Sequence, residues 1–133
     1  MKNRFMLLGF ILVILFFSGD ALADKAPTQV KAELQAVMQK YIMSNSINDQ
    51  ILDLDLSTGD IRILSPAAAH PMIFLLGDIY VMCSDLRTKH GESVPVDFYV
   101  SIDDSRYKIF RMEIGNRKPL EILMKQGIVR KME

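Results

Sequence analysis

Between Met72 and Ile114 apolar residues alternate with polar ones, and the runs are broken only by short clusters of turn formers: Gly77-Asp78, Thr88 to Glu92 around Gly91, and Asp103-Asp104-Ser105. A period of two sends alternate side chains to opposite faces of a strand. Connections this short join antiparallel neighbours, because parallel strands need a crossover of a dozen residues or more. Four strands are therefore predicted in succession: Met72 to Leu76, Ile79 to Arg87, Ser93 to Ile102, and Tyr107 to Ile114.

The flanking segments follow other rules. From Ala26 to Met43, the residues Val30, Leu34, Val37, Met38, Tyr41 and Ile42 recur at helical spacing with charged and amide side chains opposite, Pro27 suits a first turn, and Ser44-Asn45-Ser46 suits an end. Ile51 to Leu56 and Ile61 to Leu64 flank Ser57-Thr58-Gly59-Asp60 and predict a hairpin. Ser65 to Pro71, SPAAAHP, predicts a single helical turn, capped by Ser65 and stopped by Pro71, with His70 alone at its end. Pro119 to Gln126 predicts a short helix ended by Gly127, with Ile128 to Met132 as a last strand. The expected fold is α+β: an N-terminal amphipathic helix packed on a curved antiparallel sheet of five to seven strands, with a short C-terminal helix.

The first 23 residues read differently. Lys2 and Arg4 precede an apolar run from Phe5 to Phe17, and Ala21-Leu22-Ala23 offers a signal-peptidase pattern, so residues 1–23 are expected to be a secretory signal and 24–133 a single domain exported to a bacterial periplasm. The apolar run falls short of the roughly 20 residues of a spanning helix. Removing the leader takes Lys2, Arg4 and Asp20 with it and leaves 14 basic and 15 acidic side chains. Such a balance, with no basic run, gives no footing for nucleic acid. The one cysteine, Cys83, cannot form an internal disulfide.

Centring the Thr88 to Glu92 turn sets Cys83 opposite Asp97, Met82 opposite Phe98, Ser84 opposite Val96 and Leu86 opposite Val94. His90 then sits at the hairpin tip, about seven extended residues or roughly 20 Å from Cys83, which rules out a Cys–His pair between them. One sheet face collects Ile73, Leu75, Tyr80, Met82, Leu86, Val94, Val96, Phe98, Val100, Phe110, Met112 and Ile114, and is the expected core beneath the long helix. The other collects Met72, Phe74, Val81, Cys83, Asp85, Arg87, Asp97, Tyr99, Ile109, Arg111 and Glu113. Its apolar content implies cover by the C-terminal helix, a ligand or a second chain. Cys83, Asp97 and Arg111 are expected side by side there, with Asp85, Tyr99 and Glu113 nearby, as a candidate ligand-binding set. A ladder of surface ion pairs accounts for the same residues without a ligand.

Signatures of known chemistry are missing. There is no Gly-rich phosphate loop, CxxC, GxSxG or HExxH, and His and Cys are too few for a zinc site. Asp53, Asp55 and Ser57 have the spacing of a calcium loop, but the sixth and twelfth positions are Thr58 and Leu64 rather than Gly and Glu. The methionines are spread over several elements, as core fillers are. No metal and no cofactor are expected. The expected function is that of a small non-enzymatic domain binding a protein partner or small ligand through the mixed face, in its simplest form by self-association. The alternative is a small hydrolase or isomerase using Asp85, Asp97 and Tyr99, with Arg111 as anion anchor.

Overall fold

The computed structural model describes residues 27–133 of the chain; the expected leader and its expected cleavage position lie outside the described residues. The described chain runs α1 (Pro27–Ser44), β1 (Ile51–Leu54), β2 (Ile61–Leu76), β3 (Ile79–Thr88), β4 (Ser93–Asp103), β5 (Arg106–Ile114), α2 (Lys118–Lys125) and β6 (Val129–Lys131). All strand pairings are antiparallel, in the order β1-β2-β3-β4-β5, and β6 joins the far end of the edge of β2 that β1 occupies. The expected α+β fold with a short C-terminal helix is the one observed. Among the described residues no helix is long and apolar enough to cross a membrane.

Helix α1 buries Val30, Leu34, Met38 and Ile42, a stripe spaced by four residues along one side. Its last carbonyls are taken up by the segment that follows: Ser44 Oγ donates to Lys40 O at 2.8 Å, Asn45 Nδ2 to Tyr41 O at 2.8 Å and Ser46 Oγ to Ile42 O at 2.7 Å. The stripe meets Ile51, Leu64, Ile73, Met82, Leu86, Val94, Val96, Phe98, Val100 and Ile109 of the sheet, with Tyr41 edge-on to Phe98. This is the main core. A smaller core lies on the opposite face, where Leu120 of α2 and Val129 of β6 cover Val81 and Cys83. The sheet is thus sandwiched between the two helices.

Two expectations fail, each where the chain departs from regular pairing. The SPAAAHP segment is not a helical turn but the middle of the 16-residue strand β2, which pairs with β3 through Ser65, Pro66 and Ala69 and slips register on either side of Ala69. A long partner strand overrides the local capping signals, and the slips absorb Pro66 and Pro71, which lack a donor. Gln35 Nε2 of α1 donates to His70 O at 3.1 Å, and Ser84 Oγ donates to Ala68 O at 2.9 Å, which satisfies carbonyls the irregular pairing would strand.

The second departure is in β5. Asp104 and Ser105 both have positive φ and form a two-residue turn closed by the pair Asp103 and Arg106. Pairing runs in step from there to Val100 opposite Ile109, then resumes as Tyr99 opposite Arg111, so Phe110 is one residue too many. Ile109 therefore joins the main core, whereas Phe110, expected in the core, is 57% exposed and leans on Tyr99. Ile109→Ala is expected to cost about 2–4 kcal/mol and Phe110→Ala less than about 1 kcal/mol in urea unfolding; the reverse order would remove the bulge from β5.

Candidate functional site

The face opposite α1 is arranged around Asp97. Cys83 and Asp97 are cross-strand partners, as expected, but the residue opposite Asp97 on β5 is Glu113, and Arg111 stands opposite Tyr99. The two-residue turn at Asp104-Ser105, tighter than the three-residue turn expected, and the bulge at Phe110 each shift the register by one residue, and together they produce that displacement. Asp97 is only 1% exposed, and a carboxylate so placed needs a cation and donors. Arg117, the residue before α2, supplies both: its Nη2 donates to Oδ1 at 2.8 Å, and its Nε to Oδ1 at 3.1 Å and Oδ2 at 3.4 Å. Burial alone would weaken the guanidinium's hold on its proton, yet Asp97 keeps its pKa above the ordinary value.

Asp97 also accepts from the Cys83 thiol. Burial, first, and then this hydrogen bond and the charge of Asp97 push Cys83 up to about 12. It is therefore a neutral thiol at physiological pH, the opposite of an activated nucleophile. Burial and the same carboxylate raise Tyr99 above its usual value.

The remaining candidates pair among themselves. Arg111 donates to Glu113 Oε2 from Nη2 at 2.6 Å and from Nε at 3.2 Å, and this hydrogen bond holds Glu113 below the usual carboxylate range. With Tyr99, Asn116 and Pro119 these two line a shallow cleft of about 250 Å³. Asp85 pairs instead with His70, Nε2 to Oδ2 at 2.9 Å, across the β2–β3 ladder. A second, smaller cavity of about 90 Å³ opens beside them and is lined by His70, Cys83 and Arg117 with Met72, Met124 and apolar neighbours.

The six candidates therefore fall into two places. Cys83, Asp97 and Asp85 lie at or near the foot of α2, and Tyr99, Arg111 and Glu113 lie along the β5 edge. Tyr99 and Arg111 line the cleft at the β5 edge and not the cavity at the foot of α2. Two partners escaped the sequence reading. Arg117 carried a signal, since a carboxylate under a helix needs a cation and Arg117 and Lys118 open that helix. His70 carried none, because only the slipped register of β2 brings it to Asp85.

The acidic hairpin turn is explained locally. Asp53 is paired with Arg62 across β1 and β2, and Asp55 accepts from Ser57 N at 2.8 Å and Ser57 Oγ at 2.6 Å, which lowers its pKa. Among the described residues no three of His, Cys, Asp and Glu are grouped to hold a metal ion. Comparison with known protein families, curated proteins and solved structures finds no match to this chain.

Arg117→Met is expected to cost about 3 kcal/mol, because Asp97 stays buried without its cation, and adding Asp97→Leu is expected to recover part of the loss in thermal unfolding. The folded chain keeps the Cys83 proton up to about 12, whereas the unfolded thiol releases it near 9.0. The unfolded state therefore loses its proton first, and stability falls as pH climbs through that window. Native Cys83 is expected to resist maleimide at neutral pH and to label only after denaturation, as read by mass spectrometry.

Proposed function

We propose that this protein is a small exported, non-enzymatic interaction domain, and that it docks a second copy of itself through the part of the mixed face that α2 leaves uncovered. One observation carries the reading. In the β1–β2 hairpin, Leu52 pairs with Ile63 and Leu54 with Ile61, so all four side chains project from one face, yet they are 46%, 50%, 51% and 61% exposed. Leu56 at the turn is more exposed still. A cluster of aliphatic side chains on one exposed face is what an interface presents.

The second copy is favoured by the strand that carries the patch. Among the described residues β1 pairs with β2 alone and leaves its outer edge open, and its sequence, Ile-Leu-Asp-Leu, has neither proline nor lysine to discourage another strand. Antiparallel pairing of two β1 edges about a twofold axis would join the apolar patches of both copies into one continuous surface. The hairpin's single carboxylate on the opposite face, Asp53, is already neutralised by Arg62. The near-balanced net charge adds no long-range repulsion. The acid–base alternative has less support, since Asp85, Asp97 and Arg111 each spend their hydrogen bonds on a partner within the chain.

Sedimentation velocity across a range of concentrations is expected to show a dimer that Leu54→Lys converts to monomer, with the melting temperature of the monomer little changed because Leu54 is outside the core. A wild-type chain that stays monomeric at the highest concentration removes the self-docking reading.

A further inference from the structure

Successive residues of an antiparallel strand send their backbone groups to its two edges in alternation. In the β1–β2 hairpin Asp55 N donates to Asp60 O at 2.9 Å, so Asp53 and Ile51 also face β2, and Leu52 and Leu54 face the open edge. Gln50 faces that edge too, but Ile47 takes both its N–H and its C=O, at 3.1 Å and 2.7 Å. Beyond Leu54 the chain leaves the strand for a turn that Gly59 N closes on Asp55 O at 2.7 Å. What the edge offers is therefore the N–H and C=O of Leu52 and Leu54.

A twofold axis between two antiparallel copies of one strand passes between a residue and its own copy. Centring it on Leu52 sets Leu54 against Gln50, whose backbone groups are spent. Centring it on Leu54 sets Leu52 against Leu56, which belongs to the turn. Centring it on Asp53 sets Leu52 against the partner's Leu54 on both sides of the axis, and all the free groups of both edges pair. The cost is that Asp53 faces its own copy, on the sheet face that carries Ile51, and like charges directly opposite repel. Arg62 answers that charge. Its Nε donates to Asp53 Oδ2 at 2.9 Å and its Nη2 donates to the same oxygen, so among the described residues Asp53 Oδ1 and Arg62 Nη1 keep a free acceptor and a free donor.

We propose that two copies of this chain join their β1 strands in the register centred on Asp53, and that Arg62 Nη1 of each copy donates to Asp53 Oδ1 of the other. The two pairs close into a ring of alternating charge on the axis. This rests on the self-docking reading and adds to it the register and the residues that set it. The other edges are guarded: β5 has the bulge at Phe110 with Lys108 and Arg111 around it, and the length of β2 between β1 and β6 contains Pro66 and Pro71. One pairing edge in each copy closes the assembly as a dimer rather than a fibre.

Leu52→Cys and Leu54→Cys, both at exposed positions, test the register in the full chain under a glutathione redox buffer, with disulfide-linked dimer read on a non-reducing gel. The wild-type chain, whose thiol is buried, is the blank. An equimolar mixture of the two variants is expected to cross-link at least about tenfold more than either alone, because only opposite positions bring the thiols within disulfide reach. Cross-linking mainly of Leu52→Cys alone or of Leu54→Cys alone moves the axis to that residue and overturns the assignment. In sedimentation Arg62→Gln is expected to weaken the dimer about fivefold, and Arg62→Gln with Asp53→Asn to restore it; a dimer indifferent to Arg62→Gln overturns the ring. A wild-type chain that sediments only as monomer removes the self-docking reading and this inference with it, whereas a dimer that forms none of these cross-links overturns the register alone.

Discussion

The buried pair of Asp97 and Arg117 fixes how the second face of the sheet is closed. A carboxylate at the centre of a six-stranded sheet is tolerable only with its charge answered. The answer comes from the residue that opens α2, so satisfying Asp97 also sets where that helix begins. Pro119 and the Gly127 terminus then fix its length: Gly127 N donates to Met124 O at 3.0 Å, Ile128 N donates to Leu123 O at 3.0 Å, and the left-handed φ of Gly127 turns the chain back toward β2. Leu120 and Val129 land on Val81 and Cys83 as a consequence. A buried ion pair of this kind adds little net stability, but it rejects alternative placements of the helix that would leave Asp97 unpaired.

Much of this was legible in the sequence wherever local rules and tertiary pairing agree. The α1 stripe from Val30 to Ile42, the β3–β4 register that sets Cys83 against Asp97, and His90 at the exposed tip all follow from period and turn chemistry. Failures cluster where one residue is inserted or pairing slips. Phe110 looks like a core aromatic because nothing around it marks a bulge, and once it is displaced outward every residue between it and the Asp104-Ser105 turn changes face. Together with the two-residue turn, which is one residue shorter than expected, the bulge moved Arg111 away from Asp97 and put Glu113 in its place. In SPAAAHP the capping and proline signals are genuine, but ten residues of β3 compete with one helical turn.

The polar candidates show a related limit. Composition placed carboxylates, a thiol, a tyrosine and an arginine on one face, yet pairing on that face depends on side chains from elsewhere. Arg117 and His70 enter from segments with no strand periodicity of their own facing them, and they divide the expected cluster in two. What a sequence reader sees as free chemistry on a sheet is here mostly matched within the chain, and the β1–β2 hairpin adds an exposed aliphatic patch on the same face.

Strand β2 carries neighbours on both edges, with β1 at one end and β6 at the other end of the same side. Its seam to β6 is made by residues far along the sequence from β2, where Leu76 pairs with Val129, Phe74 with Lys131, and Met132 N donates to Ile73 O at 2.8 Å. A chain made from its N-terminus can form α1 and β1 to β5 while the face bearing Asp97 and Cys83 is still bare. That face is sealed only when Arg117, α2 and β6 have emerged, so their arrival decides when the nascent domain stops exposing a buried charge and a thiol to its surroundings.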